Sequence, residues 1–131
     1  MRERREAGDP MEPEPERFAV TSAPGPRPGV VVLSLTGELD HDTADTLRSA
    51  LREWSRAERI LVDCQGLGFC DSTGLNVLLQ ARLHALETGG RLELAGLRPP
   101  VARMFEITGA RTVFRVHDNV ADALTDQRAG G

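Results

Sequence analysis

Strand-like runs alternate with helix-like segments along most of this 131-residue chain. Apolar, β-branched runs predict five strands, at residues 17–22, 30–35, 59–64, 91–95 and 113–116. Apolar spacings of three and four predict four helices, at residues 44–57, 72–87, 99–108 and 120–127. Because strands and helices alternate from residue 30 onward, we predict an α/β fold with a central, mostly parallel sheet flanked by helices. A Pro/Gly-rich turn joins the two early strands, so the first strand can pair antiparallel at one edge.

Single residues refine this prediction. Thr43 is placed to cap the helix that starts at residue 44. Residues 65–70 contain two glycines and are interpreted as a loop between a strand and the longest helix. That helix is expected to bury one face of five leucines: Leu75, Leu78, Leu79, Leu83 and Leu86.

The two ends of the chain differ in composition from its centre. Residues 1–16 are charged and rich in proline, which predicts a disordered, acidic tail. Residues 17–127 form the predicted domain, and residues 128–131 a short disordered C-terminus. No apolar run is long enough to span a bilayer, and residues 1–16 lack an apolar signal core. We therefore predict a cytoplasmic protein that does not enter membranes.

The charge distribution argues against binding to nucleic acid. The net charge is −4, and all 16 basic residues are arginines. These arginines are scattered and largely interleaved with acidic residues, so the basic face of a nucleic-acid-binding protein is missing. We predict no direct contact with DNA or RNA.

The sequence contains no recognisable set of catalytic, metal-binding or cofactor-binding residues. Ser72 lacks a GxSxG motif, and His41, His84 and His117 do not lie near it in the predicted elements. The glycines at positions 66 and 68 do not form a phosphate-binding loop, and the chain has no lysine to hold phosphates. We predict a protein that is not an enzyme and needs neither metal nor cofactor.

The two cysteines, Cys64 and Cys70, do not form a CxxC pattern. We interpret them as free thiols in a reducing compartment. Asp71 follows Cys70 directly, and a neighbouring carboxylate raises the pKa of a thiol, which disfavours a thiolate nucleophile.

The densest polar cluster is Asp71-Ser72-Thr73-Gly74, at the predicted start of the longest helix. A helix N-terminus offers unpaired N–H groups and a partial positive charge, so Asp71 or Ser72 can cap it. Capping requires only one such residue, and Gly74 costs about 1 kcal/mol relative to alanine inside a helix. The additional polar residues indicate that another protein approaches this turn and that Gly74 leaves the turn open. The N-terminus of the helix would also tolerate a phosphate here.

An ordered set of motifs around this turn resembles the STAS domain of bacterial anti-sigma factor antagonists. The matching segments are residues 36–40, 62–63, 69–75, 89–92, 101–105 and 108–109. The resemblance covers roughly residues 17–127. It implies a small α/β domain that, when unphosphorylated, binds an anti-sigma factor and thereby frees a sigma factor.

The resemblance also implies the partners and the switch. The anti-sigma factor would carry a serine kinase domain of the histidine-kinase-like ATPase type, and it would phosphorylate Ser72 and dissociate. A PP2C-type phosphatase would reverse the modification. The implied partner-binding residues are Asp40, Asp71, Ser72, Thr73, Gly74 and Asn76.

Two other functions remain open at this stage. The domain can be an adaptor subunit of a transport or lipid-trafficking complex, or a module that senses a small ligand. We expect a monomer or a weak homodimer.

Overall fold

A computed structural model describes residues 17–125. The strands are β1 (Phe18–Pro24), β2 (Val30–Leu39), β3 (Arg59–Cys70), β4 (Arg91–Ala95) and β5 (Val116–His117). The helices are α1 (Ala44–Glu53), α2 (Ser72–Glu87), α3 (Pro99–Thr108) and α4 (Val120–Thr125), with a short 3₁₀ helix at Ala110–Thr112. The predicted tails at residues 1–16 and 128–131 lie outside the described residues.

The five strands form one sheet in the order β1-β2-β3-β4-β5. Strand β1 pairs antiparallel with β2, and the other pairs are parallel. This confirms the predicted α/β fold with a mostly parallel sheet and an antiparallel edge. Because β2 and β3 are parallel, their carboxyl ends lie side by side at the same end of the sheet. The segments that follow Leu39 and Cys70 are therefore neighbours.

The strands bury both faces of the sheet. Alternate residues of β3, including Ile60, Val62 and Cys64, belong to a large core cluster to which α1, α2 and α3 contribute. Leu61 points the other way, where it packs with Ala95 and with Ala123 of α4.

A buried network of charged groups joins β3, β4, β5 and α4. The Arg59 guanidinium donates to Glu93 Oε1 at 2.7 and 3.1 Å and to the Ala123 carbonyl at 3.0 Å. His117 Nε2 lies 3.0 Å from Glu93 Oε1, and Arg91 Nε donates to Glu93 Oε2 at 2.9 Å. Burial disfavours ionisation of Glu93, but its hydrogen bonds with Arg59 and His117 outweigh burial and hold the pKa of this carboxyl below its usual range.

The prediction of a loop at residues 65–70 is wrong, because β3 continues to Cys70 beside an extended β2. Register shifts between Ser34 and Thr36 and between Gly37 and Glu38 let the two strands bend while they stay paired. Gly66 is needed for close pairing, since a Cβ there would lie 2.6 Å from Thr36 Cγ2. The glycines that suggested a loop are therefore part of a bulged strand.

The C-terminal prediction is also partly wrong. Residues 110–112 are a 3₁₀ helix, and β5 contains only Val116 and His117. Phe114 of the predicted strand 113–116 is buried, and its ring packs 5.8 Å from that of Phe105. The apolar run is thus used to pack a turn against α3.

Two helices match their predicted bounds, at residues 72–87 and 99–108, whereas the first ends at Glu53 and the last is described to Thr125. The predicted buried face of α2 is wrong in part, because Leu83 and Leu86 are 49% and 50% exposed. Leu75 and Leu78 of that face are buried as predicted, together with Gly74, Val77 and Ala85, and Ala81 packs partly buried against the core.

Candidate functional site

The turn between β3 and α2 is capped by Asp71. This residue has extended backbone angles (φ −95°, ψ −175°), and its Oδ1 accepts the Gly74 N–H at 2.9 Å. A carboxylate at this position both satisfies a free N–H and interacts favourably with the helix dipole. Of the two predicted capping residues, the structure selects Asp71.

Ser72 is the first residue of α2 and is exposed. The neighbouring Thr73 is half-buried. With Asp71 acting as the cap, the Ser72 hydroxyl is at the surface beside the positive end of a 16-residue helix. The more accessible of the two hydroxyls is therefore that of Ser72.

Gly74 is buried, which corrects the prediction that it keeps the turn open. A Cβ at this position would lie 2.5 Å from Leu39 Cγ and 3.2 Å from Cys70 Sγ. Leu39 is fully buried, so these atoms have little room to move. Glycine is required here because α2 begins directly against the end of β2.

Asp40, one of the implied partner-binding residues, lies beside the turn. The Asp71 N–H donates to the Leu39 carbonyl at 3.0 Å, so the residue after β2 and the cap of α2 are neighbours. Asp40 Oδ1 accepts the N–H groups of Asp42 and Thr43, and Oδ2 pairs with Arg17. Burial opposes ionisation, but the Arg17 guanidinium and these N–H groups outweigh burial and hold the pKa of Asp40 below its usual range.

Thr43 occupies the cap position of α1, but its hydroxyl does not cap that helix. The hydroxyl accepts the Asp40 N–H at 2.9 Å and lies 2.9 Å from the Glu38 carbonyl, to which it donates. Thr43 and Asp40 thus hydrogen-bond to each other and fix the loop from β2 to α1. This loop presents an acidic surface. Arg17 also pairs with Glu38 and reaches Asp42, a role that sequence reasoning missed.

Phe69 was also missed by sequence reasoning. Its side chain is at the end of β3, three residues before Ser72, and is 48% exposed. It sat in the segment interpreted as a loop, so alternation along the strand was not considered. An exposed aromatic ring beside a polar turn is typical of residues that anchor a partner protein.

Asn76 is exposed one turn after Ser72, and it lines a groove of about 260 Å³ between α1 and α2. The groove therefore begins next to the Asp71–Gly74 turn. The structure brings the predicted partner-binding residues together: Asp40, Asp71, Ser72, Thr73 and Asn76 share one edge, with Gly74 beneath them.

The cysteines are free and buried. Burial, followed by the charge of Asp71, raises the pKa of Cys70 to about 12. Burial likewise raises the pKa of Cys64. A thiolate at either position is disfavoured at neutral pH, in line with the sequence prediction.

Within residues 17–125 no three His, Cys, Asp or Glu side chains are grouped in a way that could hold a metal ion. In that same part of the chain, no helix is long and apolar enough to cross a membrane.

The structure is a small α/β domain of the STAS type. It combines a bulged β2–β3 pair with an antiparallel edge strand, and its helix α2 opens with an Asp-Ser-Thr-Gly turn that Asp71 caps. The STAS domain family model matches residues 26–123, and this chain belongs to that family. STAS domains of the antagonist type are regulators rather than enzymes.

The chain is similar to named members of that family. It is 34% identical over 101 residues to an anti-sigma F factor antagonist from Paenibacillus polymyxa, covering 75% of this chain and 86% of the relative. The crystal structure of an anti-sigma factor antagonist from Mycobacterium paratuberculosis superimposes with a TM-score of 0.75 at 25% identity, covering 85% and 94% of the two chains. The Bacillus cell fate determinant SpoIIAA in its phosphorylated form has the same fold, with a TM-score of 0.64 at 22% identity and coverage of 81% and 96%.

Proposed function

We propose that this protein is an anti-sigma factor antagonist controlled by phosphorylation of Ser72. In the unphosphorylated form it binds an anti-sigma factor with a serine kinase domain of the histidine-kinase-like ATPase type, and a sigma factor is released. The kinase then transfers phosphate to Ser72 and the complex dissociates. The observation that carries the proposal is the exposed Ser72 hydroxyl at the start of α2, beside an Asp71 carboxylate that already caps the helix.

The local electrostatics allow a phosphate on Ser72 without unfolding the domain. Phosphoserine adds about −1.5 to −2 charges at pH 7. The N-terminus of a helix stabilises a nearby anion by about 0.3–1 kcal/mol. This favourable term offsets part of the repulsion from Asp71, so the folded domain can carry the modification.

The same phosphate would weaken the complex. The proposed partner surface already contains the Asp71 carboxylate next to Ser72, and near it Glu38 and Asp42, which share the Arg17 guanidinium. Like charges forced together at an interface cost several kcal/mol. Because 1.4 kcal/mol changes affinity tenfold, one phosphate is enough to separate the partners.

Further parts of the proposal come from the relatives. An anti-sigma factor is the partner that their names specify. SpoIIAA, which has the same fold and is known in a phosphorylated form, supports the proposal of a phosphorylated state. We also propose that a PP2C-type phosphatase restores the active form, that the protein acts in the cytoplasm, and that it is a monomer or weak homodimer.

The test is to incubate the full chain with the candidate kinase and ATP and to map the phosphate by mass spectrometry. We expect modification of Ser72, its loss in Ser72→Ala, and its retention in the matched control Thr73→Ala. Calorimetry should show that Ser72→Ala binds the anti-sigma factor like the unmodified protein, whereas Ser72→Glu binds at least about tenfold more weakly. Phosphate on another residue, or equal affinity of Ser72→Glu, would contradict the proposal.

A further inference from the structure

The groove between α1 and α2 has an apolar floor and a basic rim. Leu51, Val77 and Ala85 contribute buried apolar surface, while Arg48 and Arg52 line the α1 side. Among the described residues that line this groove, none is Asp or Glu. The groove therefore favours an extended ligand with one apolar side and one acidic side.

The segment that precedes β1 has this chemistry. Residues 9–16 read DPMEPEPE, with four acidic residues and no basic one. Apolar and acidic residues alternate from position 11 to position 16: Met11, Pro13 and Pro15 against Glu12, Glu14 and Glu16. Proline favours an extended polyproline-type chain with three residues per turn, so every turn of this segment carries both apolar and acidic side chains.

The position of Arg17 brings this segment to the groove. Arg17 pairs with Asp40 and lies within 3.7 Å of Asp42, so the chain enters β1 next to the start of α1. Crossing the N-terminus of α1 requires about 10 Å, the diameter of a helix. The eight residues 9–16 can span about 26 Å, because an extended chain covers about 3.3 Å per residue. About half of the segment is then left to follow the groove.

We propose that the part of this segment farthest from Arg17, residues 9–13, docks in the α1–α2 groove, with Asp9 and Glu12 against Arg48 and Arg52 and the side chains of Met11 and Pro13 on the apolar floor. The proposal concerns this chain alone and does not depend on the identity of any partner. A short tether gives an effective concentration of the order of millimolar, so even a segment with a Kd of about 1 mM occupies the groove about half of the time.

The test uses the full chain with a nitroxide attached to Gly8→Cys and amide resonances recorded by NMR. Cys64 and Cys70 are buried, so the introduced thiol is the one that reacts. We expect stronger relaxation enhancement at groove amides such as Gln80 and His84 than at the exposed Glu106 of α3.

A matched pair of variants tests the charge complementarity. Because each exposed ion pair changes an equilibrium by about 1.5- to 5-fold, Arg48→Gln/Arg52→Gln should lower the docked-to-free ratio by roughly 2- to 30-fold. The control Arg103→Gln/Arg111→Gln removes two arginines outside the groove and should leave the ratio unchanged.

Several results of these experiments would contradict docking of the N-terminal segment in the groove. Equal enhancement at groove and α3 amides overturns the proposal, and so does a groove signal that both double variants reduce equally. A signal that grows with protein concentration indicates a second copy of the chain and also overturns it. Without the label, Asp9→Asn/Glu12→Gln should shift the same groove amides; if it leaves them unshifted, docking is excluded.

Discussion

Asp71, Ser72 and Gly74 perform three different tasks within one turn. Asp71 caps α2 through the Gly74 N–H, and Gly74 lets the helix start against Leu39. These two residues fix the backbone and leave the Ser72 hydroxyl exposed. A modification of Ser72 therefore changes the surface charge without removing the hydrogen bond that caps the helix.

Gly74→Ala is expected to destabilise the domain by up to about 2 kcal/mol. The new methyl group would lie 2.5 Å from Leu39 Cγ, and overpacking of this kind costs about 1–3 kcal/mol, of which the better helix propensity of alanine returns about 1 kcal/mol. Urea unfolding measures the difference. Gly68→Ala is the control, because the nearest atom to its Cβ is the Gly37 carbonyl oxygen at 3.9 Å. Equal stability of the two variants would contradict the packing role of Gly74.

Phe69→Ala is expected to weaken binding of the anti-sigma factor by about tenfold or more, because an exposed aromatic ring at the centre of an interface contributes more than 1.4 kcal/mol. Calorimetry measures the affinity. The control is Leu83→Ala, which removes an equally exposed apolar side chain about 16 Å further along α2 from Ser72. If both variants lose affinity equally, Phe69 is not a specific anchor.

At the scale of elements, sequence patterns predicted the features that depend on residues close by in the sequence, such as the ends of helices. Helices α2 and α3 have the predicted bounds, because each has clear signals at its ends, such as Asp71 before α2 and Gly109 after α3. Strand β3 was cut short because Gly66 and Gly68 indicate a loop unless the partner strand is known. The bulges depend on the pairing of β3 with β2, and the buried face of α2 depends on the core residues that it packs against. These partners are distant in the sequence.

The site was predictable to a similar extent. The turn at residues 71–74 followed from the polar cluster that opens α2, and the inclusion of Asp40 followed from the family resemblance. The purpose of Gly74 did not, because it depends on the side chain of Leu39. Arg17 and Phe69 were missed since their roles arise from pairing between β1, β2 and β3.

The Arg59–Glu93 pair links β3 to β4 and gives an expected pH dependence. Replacement by Glu93→Gln leaves a buried Arg59 unpaired and should cost about 3–5 kcal/mol at pH 7. The pKa of Glu93 is lower in the folded state than its usual value near 4.5, so its stabilising effect is present above that value and is lost as pH falls through the folded pKa.

Denaturant unfolding of both proteins between pH 7 and pH 3 measures this effect. The stability difference between wild type and Glu93→Gln should shrink as the solution is acidified. Glu106→Gln, at an exposed position on α3, is the control and should differ little from wild type at any pH. A difference that stays constant down to pH 3 would show that the charge of Glu93 is not its cause.

For the molecule as a whole, the topology collects the regulatory parts at one edge of the sheet. The Arg17–Asp40 pair, the Ser72 turn and the upper end of the α1–α2 groove all lie where β2 and β3 end. The Arg59–Glu93 network lies away from this region, at the start of β3. The large core cluster reaches beneath the turn through the buried Leu39 and Cys70. The proposed phosphorylation site, the exposed Ser72, is thus separate from the buried Arg59–Glu93 network.

This separation predicts that a negative charge at position 72 changes binding but not folding. The free energy of unfolding of Ser72→Glu should differ from that of wild type by no more than about 0.5 kcal/mol, because Ser72 is exposed and the helix N-terminus favours an anion. Ser72→Arg, which places the opposite charge at the same position, should be less stable than Ser72→Glu by about 0.5–2 kcal/mol. Thermal unfolding of the three proteins measures both differences. If Ser72→Glu is the least stable of the three, phosphorylation would act by loosening the domain, and the switch would lie in the fold rather than at the interface.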